Sequence, residues 1–283
     1  MRKTQIILLL ILMIPVLFFS CKKETNDKLD EIEKFYPNNP ESIAQVKFIH
    51  AYTPLTINGL TAGTTTSGVG FRITMDGNKV NGATNTSTFT NTLVYGGQPG
   101  TTTYTGSFYP ATTAYSFLPP GPHNFKFIMN RITAGTYAPI AGDEVFNSTV
   151  ALTAGKRYSI FIADPYAPPS TYMIEDNFTE PARGSYGVRF INLCADIPSR
   201  FDIVSSRHGK LFSNVGYKEV GDYIYPTVPS ISDTIFLKTA GTNTIISQVN
   251  TFSAGTQRVY TLYARGKTGV TGRTPALTYY TNR

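Results

Sequence analysis

Tryptophan is absent from this chain, and cysteine occurs only twice, at Cys21 and Cys194. Two cysteines exclude the multi-bridge framework that holds small secreted domains together. Histidine occurs three times, at His50, His123 and His208, and no two stand at the spacing of a zinc ligand pair. One is read as a strand-end residue and two as turn residues. No Gly-x-Ser-x-Gly elbow and no phosphate-cradling glycine loop is present. Asp196 and Asp202 offer two carboxylates where calcium takes six or more oxygens, so each is read as a turn cap through an Asx motif. Charge is sparse at 15% of residues, and the net +7 is scattered. Beyond Arg2-Lys3, only Lys22-Lys23 and Lys156-Arg157 are adjacent basic pairs. That is a solvated surface, not the clustered basic face of a nucleic-acid binder.

What is present begins at the first residues. Arg2 and Lys3 give a positive start, Ile6 to Phe19 is an apolar run broken only by Pro15, and small Ser20 precedes Cys21. Polar residues 22–27 follow. A charged start, an apolar stretch and a small-residue cleavage point make a secretory signal. The run falls short of the roughly 20 residues that span a bilayer, and no second run reaches that length. The cysteine at the cleavage point resembles the lipobox of bacterial lipoproteins, although Phe18 and Phe19 stand where that pattern more often has Leu and a small residue. The resemblance implies cleavage before Cys21 and acylation of its thiol. Cys194 is then left as a buried, small apolar residue.

Tyr and Phe occur 18 times each, among frequent Gly, Thr and Pro. Aromatic and β-branched residues favour strands, while Gly, Pro and Asn punctuate turns. The composition therefore predicts an all-β chain. Residues 1–20 are the signal peptide, and 21–44 a lipidated cysteine with a polar tether in which 28–34 allows a short helix. Residues 45–180 and 184–283 are two β-sandwiches in tandem.

Three phrases recur in order. Val46-Lys47-Phe48-Ile49-His50 returns as Val188-Arg189-Phe190-Ile191-Asn192. The strand at Asn124–Ile128, after Pro119-Pro120-Gly121, is matched by Thr234–Lys238 after Val228-Pro229-Ser230. Leu152-Thr153-Ala154-Gly155 before an alternating strand is matched by Phe252-Ser253-Ala254-Gly255. Ordered recurrence signals a duplication. The first copy is longer by roughly 40 residues, placed within 76–115, a length that marks a functional or disordered loop. Phe89, Leu93, Val94 and Tyr95 there suggest an added hairpin with polar tips. In the second copy, strands are expected at 186–193, 200–205, 210–215, 222–226, 233–238, 244–250, 257–265 and 274–281, the short spacing of a sandwich or barrel.

These phrases also carry a resemblance. Val188 to Asn192, then Asp196-Ile197-Pro198 and Phe201-Asp202-Ile203-Val204, resembles the opening of the DUF4397 family of secreted β-sandwich domains. Leu211 to Tyr217 and Val220 to Tyr223 resemble its later segments. Residues 174–184 resemble a linker between tandem copies. The resemblance covers 184–283 well and 45–180 at three points. It implies an immunoglobulin- or transthyretin-like sandwich in the cell envelope, and no known activity.

The functional expectation is a non-enzymatic lipoprotein, anchored to a membrane through Cys21, on the outer membrane, with a binding or structural role. No catalytic residue, cofactor or metal is assigned. Tyr95, Tyr104, Tyr109 and Tyr115, in or beside the insertion, are the candidate ligand-binding residues, because aromatic rings bind sugars and peptides. Their competing role is to close a small core beneath the insertion. A glycan or protein ligand is the expected partner, and nucleic acid is not. Two alternatives are a carbohydrate-binding or adhesive module acting through 76–115, and a hydrolase with its site at the domain junction. Glu175-Asp176 lies at that junction and reads as a solvated acidic pair.

Overall fold

The computed structural model describes residues 40–51, 56–57, 60–61, 70–80, 92–94, 105–106, 108–110, 115–130, 144–163, 170–194, 200–269 and 274–283. The signal, Cys21, residues 28–34, Phe89, Tyr95, Tyr104 and Asp196 lie outside them. Apart from a 3-10 turn at Pro40–Ser42, every described regular element is a strand. The first half holds β1 (Ala44–Ala51), β2 (Thr56–Ile57), β3 (Leu60–Thr61), β4 (Gly70–Met75), β5 (Asn78–Lys79), β6 (Thr92–Val94) and β7 (Thr105–Gly106). It continues with β8 (Phe108–Tyr109), β9 (Ser116–Leu118), β10 (Gly121–Asn130), β11 (Glu144–Leu152), β12 (Arg157–Ala163) and β13 (Ser170–Glu175). The second half holds β14 (Gly187–Asn192), β15 (Phe201–Ser205), β16 (Gly209–Val215), β17 (Asp233–Thr239), β18 (Ile245–Phe252), β19 (Val259–Arg265) and β20 (Ala276–Thr281).

The strands form four main sheets. The first has the order β11-β10-β4-β6-β7, with β5 on β4, and the second β13-β12-β1-β8, with β9 also on β1. The third is β14-β19-β20, and the fourth β16-β15-β17-β18. β2 and β3 pair with each other. The pairing pattern occurs twice. β1 runs parallel to β12 from Gln45↔Arg157 to Ala51↔Ala163, and β14 parallel to β19 from Gly187↔Val259 to Asn192↔Ala264. Each parallel pair is flanked by an antiparallel strand, β13 or β20. The antiparallel run β4-β10-β11 is matched by β15-β17-β18.

Side-chain alternation shows how the sheets stack. Val46 and Phe48 of β1, with Tyr158, Ile160 and Ile162 of β12, join Ile73, Phe125 and Phe127 in one apolar cluster between the first and second sheets. Val188 and Phe190, with Tyr260 and Leu262, join Ile203, Phe212, Ile235 and Leu237 between the third and fourth. The opposite faces of the same middle strands meet each other. Ile49, Ala51, Phe161 and Ala163 pack on Ile191, Leu193, Tyr263 and Tyr280 in a third cluster. The central strands β1, β12, β14 and β19 are therefore covered on both faces, and every residue of β14 and β19 is buried.

Two expectations change. Residues 222–226 do not form a strand: within them the backbone pairs with the third sheet at the single bridge Val188↔Ile224, and Val220 just before them bridges Ile191. Pro226 and Pro229 supply no N–H there, which prevents a continuous ladder. The described strands of the insertion join the main sheets. β6 pairs with β4 and β7, while β8 pairs with β1 at Phe48↔Tyr109 and Ile49↔Phe108. The edges of β4 and β1 offer backbone groups that need partners, and the insertion provides them.

Candidate functional site

The facing sides of the second and third sheets change character along their strands. On β1 the residues turned to the third sheet read Gln45, Lys47, Ile49, Ala51; on β12 they read Arg157, Ser159, Phe161, Ala163. Arg189, Ile191 and Leu193, with Thr261 and Tyr263, repeat the trend opposite. One end of the gap is thus the apolar third cluster. The middle holds Lys47, Ser159, Asp176, Arg189, Thr261 and Asn282, all buried.

These groups form one hydrogen-bonded network. Arg189 Nη2 donates to Asp176 Oδ1, and both side chains are buried. Arg189 Nε donates to Thr261 Oγ1 at 3.0 Å and Nη1 to the Glu175 carbonyl at 3.1 Å. The second Asp176 oxygen accepts from Tyr115 Oη and Ser159 Oγ, each at 2.7 Å. Tyr280 Oη donates to Ser159 Oγ at 2.7 Å, Thr261 Oγ1 to Asn282 Oδ1 at 2.7 Å, and Asn282 Nδ2 to Tyr115 Oη at 2.9 Å. A buried charge is tolerated when it is paired and its remaining donors and acceptors are satisfied. The Arg189 guanidinium also stacks 4.8 Å from the Tyr223 ring.

Lys47 Nζ donates to the Thr281 carbonyl at 3.2 Å and lies 5.2 Å from the Tyr115 ring centroid. Burial lowers its pKa to about 7, against the opposing pull of Asp176. Burial also raises Tyr115 and Tyr280 above the usual phenol range, with Asp176 adding to both shifts. The phenols therefore stay neutral and donate. Burial acts to lower Arg189, and Asp176 together with Tyr223 and Tyr280 more than offsets it, so the guanidinium remains charged.

Asp176 corrects the expectation of a solvated acidic pair at the junction. Its neighbour Glu175 points outward to Lys156 at 2.7 Å, but Asp176 turns inward to face Arg189. Lys47 and Arg189 occupy the same place in the repeated phrase. An alternating strand with one cation suggests a solvent-facing position, which holds only when that face meets water. The signal that could have found them was the cation's recurrence at one position of both copies.

At the polar end the gap opens into a cleft of about 320 Å³, floored by Tyr115 and Asn282. Gln45 lies between Arg157 of β12 and Phe117 of β9 in the ladder, so three adjacent strands present these side chains in a row. Arg258, Arg283 and Phe178 complete the rim.

Among the candidate tyrosines, Tyr109 is partly buried against the first apolar cluster. Tyr115 is buried in the network and lines the cleft. Tyr95, Tyr104 and the lipidation residue Cys21 lie outside the described residues. Cys194 is buried in the cluster between the third and fourth sheets, as expected of a small apolar residue. Asp202 differs from its expected Asx cap: it lies within β15, accepts from the distant Asn214 and Gly241 backbone N–H groups at 2.8 and 3.2 Å, and pairs with Lys210. His50 lies in β1 and His208 in a turn. His123 differs from its expected turn position. It belongs to β10 and is tied to Asp76 at 2.7 Å and to the Pro119 carbonyl at 2.8 Å. Among the described residues no three His, Cys, Asp or Glu side chains converge as a metal set.

No curated protein matches this chain. Among solved structures, the TIE protein of Bacillus anthracis is 11% identical over 80% of this chain, with a TM-score of 0.20, and this chain spans 34% of its length. A candidate cell adhesion protein from Bacteroides fragilis is 11% identical over 85% of this chain and 98% of its own, with a TM-score of 0.21. The family model described as a domain of unknown function, DUF4397, matches residues 44–203, from β1 through most of β15. The match thus falls chiefly on the first half, where fewer of the family's phrases were legible, and this chain belongs to the DUF4397 family.

Proposed function

We propose that this chain is a non-enzymatic, lipid-anchored envelope protein with a binding or structural role, whose body is two copies of one β-sandwich, residues 45–180 and 184–283. The immunoglobulin- or transthyretin-like character of the copies is part of the proposal. The observation that carries it is the use made of the buried charges. Lys47, Asp176 and Arg189 are the residues most like a catalytic cluster in the described chain. They lie closed between two sheets, and Asp176 and Arg189 are consumed by contacts within the chain. This use of the charges to join layers supports a structural role for the cluster.

The duplication is supported by matching positions. The repeated Val-x-Phe-Ile phrase forms β1 and β14, and the repeated Ala-Gly turn precedes β12 and β19. Tyr158 and Tyr260 each accept a backbone N–H from the turn before their strand, Thr153 at 3.3 Å and Gly255 at 2.9 Å.

Anchoring rests on residues 1–21. Each buried methylene contributes about 0.8 kcal/mol, and stable attachment takes two or more chains, which lipoprotein acylation supplies. The outer membrane is the proposed site, with residues 21–44 as the spacer. The test is labelling with an alkyne fatty acid, followed by fractionation. The wild type should take up label and sediment with membranes, and Cys21→Ala should do neither. Membrane retention of that variant through detergent-free washing rejects the anchor.

A further inference from the structure

We propose that the cleft at the polar end of the gap binds an acidic sugar residue, its carboxylate or sulfate held by Arg157 and Arg258. The inference deepens the binding role proposed above and rests on it. Three guanidiniums line this one cleft. Glu180 pairs with Arg283 at 2.7 Å. No carboxylate among the described residues pairs with Arg157 or Arg258. Arg157 makes only a long contact to Gln45 Oε1, 3.4 Å, and stacks 5.0 Å from the Phe178 ring. A planar guanidinium offers paired donors that match a carboxylate or sulfate, and such charge-assisted bonds are the strong ones.

The rest of the lining favours a sugar over an acidic peptide. Phe117 is 47% exposed at the rim, a flat apolar face of the kind sugar rings stack on. Gln45 adds an amide for hydroxyl groups. The cleft volume, about 320 Å³, lies at the small end of ligand sites, the size of one or two rings. A peptide usually docks by adding to a strand edge. Here Gln45 is hydrogen-bonded into ladders on both sides, with β12 and with β9, so this part of β1 offers no edge.

The polar floor explains why the site lies here. Tyr115 and Asn282 are fixed by Asp176 and by each other, so the floor is rigid before a ligand arrives. Arg283 is held by its main chain to Val259, at 3.2 and 3.3 Å.

The experiment is calorimetric titration of the detergent-solubilised full chain with digalacturonic acid, a sulfated disaccharide, neutral cellobiose and a hexa-aspartate peptide. At least one acidic sugar should bind saturably, at least tenfold tighter than cellobiose and tighter than the peptide, and 0.5 M NaCl should weaken it. Arg157→Gln with Arg258→Gln should lower affinity about tenfold or more. Glu180→Gln should raise it by releasing Arg283. Both arginines are exposed, so a thermal melt should show the double variant folded. Equal binding of cellobiose, tighter binding of the peptide, no saturable binding of either acidic sugar at millimolar concentration, or indifference to the double substitution overturns the site. Mass spectrometry of the recovered sugar separates the two readings. Intact sugar leaves both standing, while cleavage with cleft-dependent binding rejects the non-enzymatic role and keeps the site.

Discussion

Arg189 on β14 and Asp176 just beyond β13 form an ion pair across the gap between the second and third sheets, with side chains 3% and 0% exposed. The two residues belong to opposite halves of the chain, so the pair locks the halves in one register. Taking charges out of water is costly, and the surrounding donors and acceptors offset that cost.

Breaking the pair from one side should therefore hurt more than removing it whole. Asp176→Ala leaves a buried cation and should cost about 3–5 kcal/mol. The double variant Asp176→Leu, Arg189→Met should recover much of that loss. Urea denaturation of the three proteins measures it, and equal losses in the single and double variants would contradict a coupled pair.

Lys47 should make stability depend on pH. Its folded pKa of about 7 lies below the ordinary lysine value of 10.5, so between these the unfolded chain binds more protons. Stability then rises with pH across that interval, and is lost as pH falls toward 7. Above about pH 10 the buried tyrosines oppose the rise, because they hold protons that the unfolded chain releases. Lys47→Met should flatten the rise between pH 7 and 9.5 in denaturation curves taken at half-unit steps.

Residues 184–283 expressed alone should form a β-domain, because the cluster between the third and fourth sheets lies within them. The fragment should be less stable than the whole chain and prone to associate. Ile191, Leu193, Tyr263 and Tyr280 lose their cover from Ile49, Ala51, Phe161 and Ala163. Burial of such side chains is worth roughly 1.5–3 kcal/mol each. Calorimetry should show a single transition for the whole chain and a lower melting temperature for the fragment. Coincidence of the fragment's transition with a separate second transition in the whole chain would reject the energetic coupling.

Deleting residues 76–115 should destabilise the protein strongly, since β6 and β8 complete ladders and Tyr109 packs on the first cluster. The milder Tyr115→Phe removes one donor to Asp176 and should cost about 1–3 kcal/mol. A thermal melt of the deletion variant that matches the wild type would show that the insertion is only a surface loop.

The strands were largely legible because apolar and β-branched runs end at Gly and Pro. The expected spans at 186–193, 233–238 and 257–265 fall on β14, β17 and β19. What was hidden was which faces meet. Period two places Lys47 and Arg189 on one side of their strands, but only the stacking of the second sheet on the third makes that side an interior. The inward turn of Asp176 is hidden for the same reason, since adjacency to Glu175 carries no information about direction. The cleft was hidden because Gln45 meets Arg157 through the parallel β1–β12 pair, Arg258 meets Arg283 at the antiparallel β19–β20 end, and the two sets come together only where the second sheet stacks on the third.

The position of β1 in its sheet has a mechanical consequence. It is the first strand among the described residues and is paired with β12 on one side and with β8 and β9 on the other. Tension arriving from the N-terminal side therefore acts along a central strand. The ladder from Gln45 to Ala51 cannot be peeled apart one bond at a time, and must slip as a unit against β12. A pull applied at the start of β1 would load the β1–β12 ladder in shear, with its bonds sharing the force.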